Sequence, residues 1–323
     1  MENGRNLAGF ILRRILQGLL TLLAASLLIF ILCHLSRIDP VAVILGGRPS
    51  SPETIAALRE KFHLNESLPA QYWRWLSGML RGDFGIDFKY QQPVAGLIAG
   101  RLPVTLCLTL LSSVLGLLAA VPLGVFSGIR AQSLGDRLSS LFAVVTMACP
   151  PFFISVAAIA IVSRVAPGIS FTGSFNSFGE MLSRLWLPAL CLGLGMIALA
   201  QRMIRSSMIE EMQSPHVRMA KAKGLPQRTV VWKHAFKNAL IPLITVYGIQ
   251  AGSLLVGSVL VENVFSLAGL GSLLVSAVQT SNYPVTQAIT MLMVLIFLII
   301  STLTDILYAV IDPRIRSGKG ERA

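Results

Sequence analysis

The sequence predicts an all-α polytopic membrane protein that crosses the bilayer six times, and three observations carry the prediction. Apolar residues make up 54% of the 323 residues and charged residues only 13%, a balance outside the soluble range. Six runs, 15–35, 102–129, 138–162, 185–201, 239–261 and 285–305, approach or exceed the ~20 apolar residues that a helix needs to span a ~30 Å hydrocarbon core. The net charge of +12 is spread through the gaps between those runs rather than gathered on one face or tail. That distribution sets membrane orientation and does not build a nucleic-acid surface.

The first run is 21 residues long, longer than the apolar core of a signal peptide. No small-x-small cleavage site follows it in HLSRIDP, and LRRILQ is a poor twin-arginine signal. It reads as an uncleaved anchor, closing a first unit at 1–35. Residues 36–101 form a nearly neutral segment, with eight bases against six acids, and predict a small helical extracytoplasmic unit. In SPETIAALREKFHL, Ser51 is a helix N-cap and Pro52 the first helical residue, with Ile55, Leu58 and Phe62 on one face. In QYWRWLSGML, Tyr72, Leu76 and Met79 share a face, while Trp73 and Trp75 suit a membrane interface. The remaining five runs form a core over 102–313 that includes the polar loop 202–238, and 314–323 is a polar tail. Pro122, Pro150, Pro151, Pro188 and Pro242 fall within or at the ends of runs. Kinks at such positions are usual in membrane helices, so none is given a special role.

Lysine and arginine counts set the orientation. The N-terminal tail, the 130–137 loop, the 202–238 loop and the C-terminal tail together carry seventeen; the loops at 163–184 and after 261 carry two. Long segments such as 36–101 count little in this rule. Both termini are therefore expected in the cytoplasm, together with the 202–238 loop.

That loop is the most informative stretch of the chain. Ser214 is placed to cap a helix with Pro215 at its first position. The helix runs through His216, Val217, Arg218, Met219, Ala220, Lys221, Ala222 and Lys223, and Gly224 ends it in the left-handed conformation. A second helix start at Pro226 leads through Val230, Val231 and Ala235 into the fifth run. A short capped helix outside the lipid fits a partner's groove; an ordinary connecting loop is the other reading.

Chemistry at depth is sparse in the sequence. Cys33, Cys107, Cys149 and Cys191 are widely spaced inside apolar runs, so neither a disulfide framework nor a zinc site is indicated. His34, His63, His216 and His234 have no metal-ligand spacing. Within the runs the one carboxylate is Asp305, whose simplest role is to partner nearby basic groups such as Arg314 and Arg316. Ion-coupled carriers and intramembrane enzymes need ionisable groups at membrane depth. The chain also has no glycine-rich phosphate loop, so it is read as a non-enzyme that binds no ATP. Uphill transport would then draw its energy from another subunit.

Five segments resemble the ABC importer permeases, specifically their peptide/nickel branch. HVRMAKAKGLPQRTVVWKHAFKNALIPLIT resembles that family's cytoplasmic EAA loop. GDFGIDFKYQQPV (82–94), VENVFSLAGLG (261–271), NYPV (282–285) and DILYAVIDPRIR (305–316) resemble the branch's other motifs, in order along the chain. The resemblance implies a type I importer permease fold in the inner membrane. It also implies a second homologous permease, two cytoplasmic ATPase subunits holding ATP and Mg, and an extracytoplasmic substrate-binding protein. Residues 214–224 would then form the coupling helix to the ATPase. The chain departs from the family pattern at Ala268, Asn282 and the Pro215-His216 pair. Dipeptides, oligopeptides, glutathione, nickel and metal-opine complexes stay open as substrates, and a secondary transporter or channel uncoupled from ATP is the alternative function.

Overall fold

A computed structural model describes residues 2–35, 39–46, 48–168, 171, 175 and 177–311. The chain opens with α1 (Glu2–Leu35), then α2 (Pro40–Leu45), α3 (Pro52–Lys61) and α4 (Leu68–Leu80). The helices α5 (Val94–Ile129), α6 (Leu134–Ala148), α7 (Pro151–Val165) and α8 (Phe178–Met212) follow. Next come α9 (Pro215–Ala222), α10 (Gln227–Thr229), a π-helical turn (Val230–Ala235) and α11 (Phe236–Ala239). The last three helices are α12 (Ile241–Val264), α13 (Leu270–Gln279) and α14 (Tyr283–Ile311). Among the described residues the only strand-like pairing is an isolated bridge between Ile86 and Pro93.

Five helices are each long and apolar enough to cross a bilayer: Gly9–Leu35, Val94–Ile129, Phe178–Met212, Pro242–Val264 and Tyr283–Leu307. The run at 138–162 is not one continuous helix. It is broken into α6 and α7, which meet at 107°, and with that pair taken as one broken span the count is six. The prolines there have a structural role after all. The residue before a proline is pushed out of the helical region, and Cys149 is extended at φ −93°, ψ 123°. Pro150 is extended as well and caps α7, whose first residue is Pro151. By contrast α5 continues through Pro103 and Pro122, and α8 through Pro188. A single proline removes one ladder bond; two adjacent ones stop the helix.

The centre of the bundle is the pair α5 and α8. Ser112, Gly116, Ala120, Gly124 and Gly128 recur every fourth residue on α5, and all five are buried. Small residues at this spacing let two backbones approach closely. A Cβ on Gly116 would touch Met196, one on Gly124 would lie 2.6 Å from the Ile204 Cβ, and one on Gly128 would lie 2.5 Å from the Met208 Cβ. Contacts advance together along both helices, so α5 and α8 run parallel. The guanidinium of Arg205 on α8 grips Asp136 at the start of α6 with bonds of 2.5 and 2.8 Å, which fixes the 130–137 turn. Asp305 pairs with Arg14 of α1 at 3.1 Å; Arg314 and Arg316, its sequence-expected neighbours, lie outside the described residues.

The segment before α5 follows local rules. Ser51 caps α3 by accepting from the Thr54 amide at 3.3 Å, and Ile55, Leu58 and Phe62 are its half-buried face. Tyr72, Leu76 and Met79 are the half-buried residues expected on α4, and Trp73 is exposed. Trp75 instead packs beside Phe30 of α1 and Tyr72, so one of the two tryptophans holds α4 against α1. Glu66 accepts from Arg74 at 2.6 Å, and that hydrogen bond holds its carboxyl below the usual carboxylate range.

Candidate functional site

The 202–238 segment builds a surface at one end of the bundle. α8 continues well past the apolar run that predicted it, to Met212, because its Arg-, Ser-, Met- and Glu-containing extension remains helix-compatible outside lipid. The chain then turns at Ser214, which has the extended backbone of an N-cap, φ −64° and ψ 151°. Its hydroxyl does not cap α9, however. It donates back to the Glu211 carbonyl at 2.6 Å, tying the cap position to the end of α8. Pro215 occupies the first helical position, where no amide hydrogen is needed.

The other end of α9 closes as the sequence implied. Gly224 sits at φ +75°. Its amide donates to Lys221 O at 2.9 Å, and the Leu225 amide donates to Ala220 O at 3.4 Å. These two bonds are the Schellman pattern that ends a helix and reverses the chain. The helix proper stops at Ala222, with Lys223 as its C-cap.

The eleven residues from Ser214 to Gly224 divide by exposure. Val217 and Ala220, three apart, are buried against Ile204 and Met208 of α8 and Val230, Val231 and Ala235 of the π-helical turn. Burying the Val217 side chain contributes about 1.5–3 kcal/mol. Ser214 is half-buried, and Pro215, His216, Arg218, Met219, Lys221, Ala222, Lys223 and Gly224 are exposed. Met219 is 61% exposed and Trp232, on the adjoining turn, 47%. The outer face therefore combines large apolar groups with Arg218, Lys221, Lys223 and Arg228. His216 joins the base of the helix to its neighbours, with Nε2 3.3 Å from the Glu211 carboxylate and 3.3 Å from Asn238 Nδ2. The π-helical turn places Val230, Val231 and Ala235 all inward, and such turns often mark functional sites.

α12 starts beside this surface and ends at α13, so α13 lies at the opposite end of the bundle. Glu262, fully buried in the last turn of α12, is an ionisable residue that the apolar-run reading missed by one position. Its Oε1 accepts from Thr105 Oγ1 at 2.7 Å, and its Oε2 accepts from the amides of Gly271 at 2.7 Å and Ser272 at 3.1 Å. Thr105 Oγ1 in turn accepts from the Leu270 amide at 2.8 Å. Nearby, Asn282 Nδ2 donates to the carboxylate of Asp87, and the Phe88 amide donates to Asn282 Oδ1 at 3.3 Å. Both side chains are buried, so the 82–94 segment is clasped to the start of α14. A cavity of about 360 Å³ opens at this end, lined by Gly100, Pro103, Val104, Phe178, Met181 and Ala268 among others. Among the described residues no His, Cys, Asp or Glu cluster could hold a metal ion.

Comparison with known proteins decides the family. A family model described as the binding-protein-dependent transport system inner membrane component matches residues 120–317, and a companion model for the N-terminal part of such components matches 7–109. The chain belongs to this family. The permease is 36% identical over 307 residues to the glutathione transport system permease protein GsiC of Salmonella paratyphi A, covering 95% of this chain and 98% of that protein. It is 35% identical over 307 residues to GsiC of Escherichia coli K12, with the same coverage. A protein of Brucella ovis named as a peptide permease is 35% identical over 314 residues, again covering 95% and 98%. The permease is thus an inner membrane component of a binding-protein-dependent transport system. The five motif segments quoted from the sequence fall in the α9 surface, the Asp87–Asn282 clasp, the Glu262 junction and the end of α14, with 312–316 outside the described residues. Two of these, the clasp and the junction, carry partners 157 to 195 residues apart, which no local pattern reveals.

Proposed function

We propose that this permease is one half of the membrane channel of an ATP-driven importer for small peptides such as glutathione. Both termini and the α9 surface lie in the cytoplasm, and the α13 end faces outward. A second, homologous permease completes the channel, two cytoplasmic ATPase subunits hold ATP and Mg, and an extracytoplasmic binding protein delivers the solute. The observation that carries this reading is the construction of α9. Two buried residues seat it on the bundle, a Schellman turn ends it, and its remaining face offers Arg218, Met219, Lys221, Ala222 and Lys223 outward. A partner groove with apolar walls and an acidic rim complements that face. Val217 and Ala220 hold the helix in place, and Ser214 and Gly224 shape its ends; the exposed residues between them make the contact. The names of the relatives support the solute class, and the lysine and arginine counts support the orientation.

Ala222→Asp tests the docking role cleanly. Ala222 is exposed in this chain, so the new carboxylate is solvated unless a partner covers it. A charge buried without a partner costs several kcal/mol. Membrane abundance should stay at the unmodified level while the ATPase co-purifies poorly and uptake falls. Equal uptake and equal co-purification would refute the assignment. Uptake of solute by the purified permease without any ATPase would favour a secondary transporter or channel instead.

A further inference from the structure

α13 cannot cap itself. Gly269, its N-cap residue, has no side chain to accept from the first turn, yet the amides of Leu270, Gly271 and Ser272 are all bonded. Their acceptors come from two other helices: Thr105 of α5 takes Leu270, and Glu262 of α12 takes Gly271 and Ser272. Thr105 also donates to Glu262, so one hydroxyl and one carboxylate join three helices at a single point. A negative group at a helix N-terminus is further favoured by the helix dipole. The packing leaves no room for adjustment. A Cβ on Gly269 would overlap the Glu262 carboxylate, and one on Gly271 would lie 2.5 Å from the Val259 Cα. The far end of α13 is held as well, since the Asn282 amide donates to Ala277 O at 2.8 Å. The body of α13 packs on Val94 and Ile98 of α5 and on Val285 and Ile289 of α14. Ala268, two residues before α13, forms part of the wall of the 360 Å³ cavity together with Val104 and Met181.

We infer that Glu262 is a positioning residue for transport. With Thr105 it makes α13 and the cavity wall at Ala268 move as one body with α5 and α12. A displacement of α12 that begins at the α9 surface then changes the opening at the other end. This rests on the importer reading given above. Severing the joint leaves each helix formed but lets α13 shift independently, so hydrolysis is no longer matched to solute entry.

Two measurements test it on the full chain. The first is amide hydrogen exchange in the purified permease, which needs no transport. Neutralising the Glu262 acceptor, or deleting the Thr105 hydroxyl, weakens the hydrogen bonds of the first turn and raises local exchange by about tenfold to a hundredfold. Glu262→Gln and Thr105→Val should show that increase over 270–274 and none over the α9 segment, while Thr105→Ser, which keeps the hydroxyl, should match the unmodified protein. Unchanged exchange at 270–274 in both disrupted variants would overturn the joint. The second is the number of ATP molecules hydrolysed per solute taken up by the reconstituted complex with its binding protein. That ratio should rise about tenfold or more in Glu262→Gln and Thr105→Val and stay near normal in Thr105→Ser. A purely structural role lowers the amount of complex without moving the ratio, so an unchanged ratio would overturn the inference. The unmodified complex is the separate control on the importer reading: if it shows no ATP-driven uptake, that reading fails, and the exchange result still decides whether the joint exists.

Discussion

Replacing Gly224 grades the turn after α9 by backbone strain alone. Its φ is +75°, and a Cβ built there meets nothing within 4 Å, so no side-chain clash complicates the comparison. An L-residue in the left-handed region costs about 1–2 kcal/mol. A β-branched side chain lies at the top of that range, while asparagine visits the region readily. The two Schellman bonds, to Lys221 O and Ala220 O, form only when this residue stays left-handed. At 1.4 kcal/mol per factor of ten, Gly224→Val depopulates the closed turn by about thirtyfold, Gly224→Ala by roughly tenfold, and Gly224→Asn by only a few-fold. The buried seat of Val217 and Ala220 precedes the turn, so membrane abundance should hold. ATP-driven uptake, measured in proteoliposomes at matched permease content, should fall in the order Asn, Ala, Val. Uptake with valine equal to that with glycine would refute the coupling geometry. So would a loss with asparagine as large as that with valine, because the effect would then not follow φ.

Other expectations concern the bundle, the clasp and the topology. Gly128→Ala places a Cβ 2.5 Å from the Met208 Cβ and 3.1 Å from Arg205 O; overpacking of this kind costs about 1–3 kcal/mol, and the detergent-solubilised permease should melt earlier. Gly195→Ala, where a Cβ meets nothing, should not melt earlier. Asn282→Asp sets a second carboxylate against buried Asp87, which two ionised groups cannot share. The folded protein then holds a proton that the unfolded chain releases, so the variant should gain stability relative to the unmodified protein as pH falls from 8 to 5. A constant difference in melting temperature across that range would contradict the clasp. In a cysteine-free background, Asn65→Cys and Gln279→Cys should react with an impermeant maleimide in intact spheroplasts. Ala131→Cys and Ser317→Cys should react only after permeabilisation; Ala131 is used because neighbouring Ser133 caps α6.

What the sequence reveals is mostly local. The limits of α3 and α9 follow from Ser-Pro starts, and that of α9 also from the Gly224 stop, because these signals act within one turn of helix. Ile55, Leu58 and Phe62 share a face by periodicity alone. The break at Cys149–Pro150 is present in the residues but resembles an ordinary kink, since isolated prolines at 103, 122 and 188 leave their helices continuous. Its signal was the adjacency of two prolines. The inward role of Val217 and Ala220 was hidden because their partners are the end of α8 and a π-helical turn, whose register no 3.6-residue pattern gives. Glu262 was missed for a related reason. It lies one residue beyond an apolar run, and its acceptor role depends on Thr105, far away in sequence, and on a glycine-started helix that has no cap of its own. The small-residue spacing on α5 acquires its meaning only in the packed structure, where it faces the parallel helix α8.

In the proposed importer this permease moves solute only when ATP hydrolysis in partner subunits drives it. The direct measurement is uptake of labelled glutathione and of short peptides into proteoliposomes that contain the complex purified from native membrane. ATP and the binding protein are then added or withheld. Uptake should need both, with no ATP hydrolysis and no uptake by this chain alone. Uptake that proceeds without ATP, driven by a proton or sodium gradient through this chain alone, would contradict the importer reading.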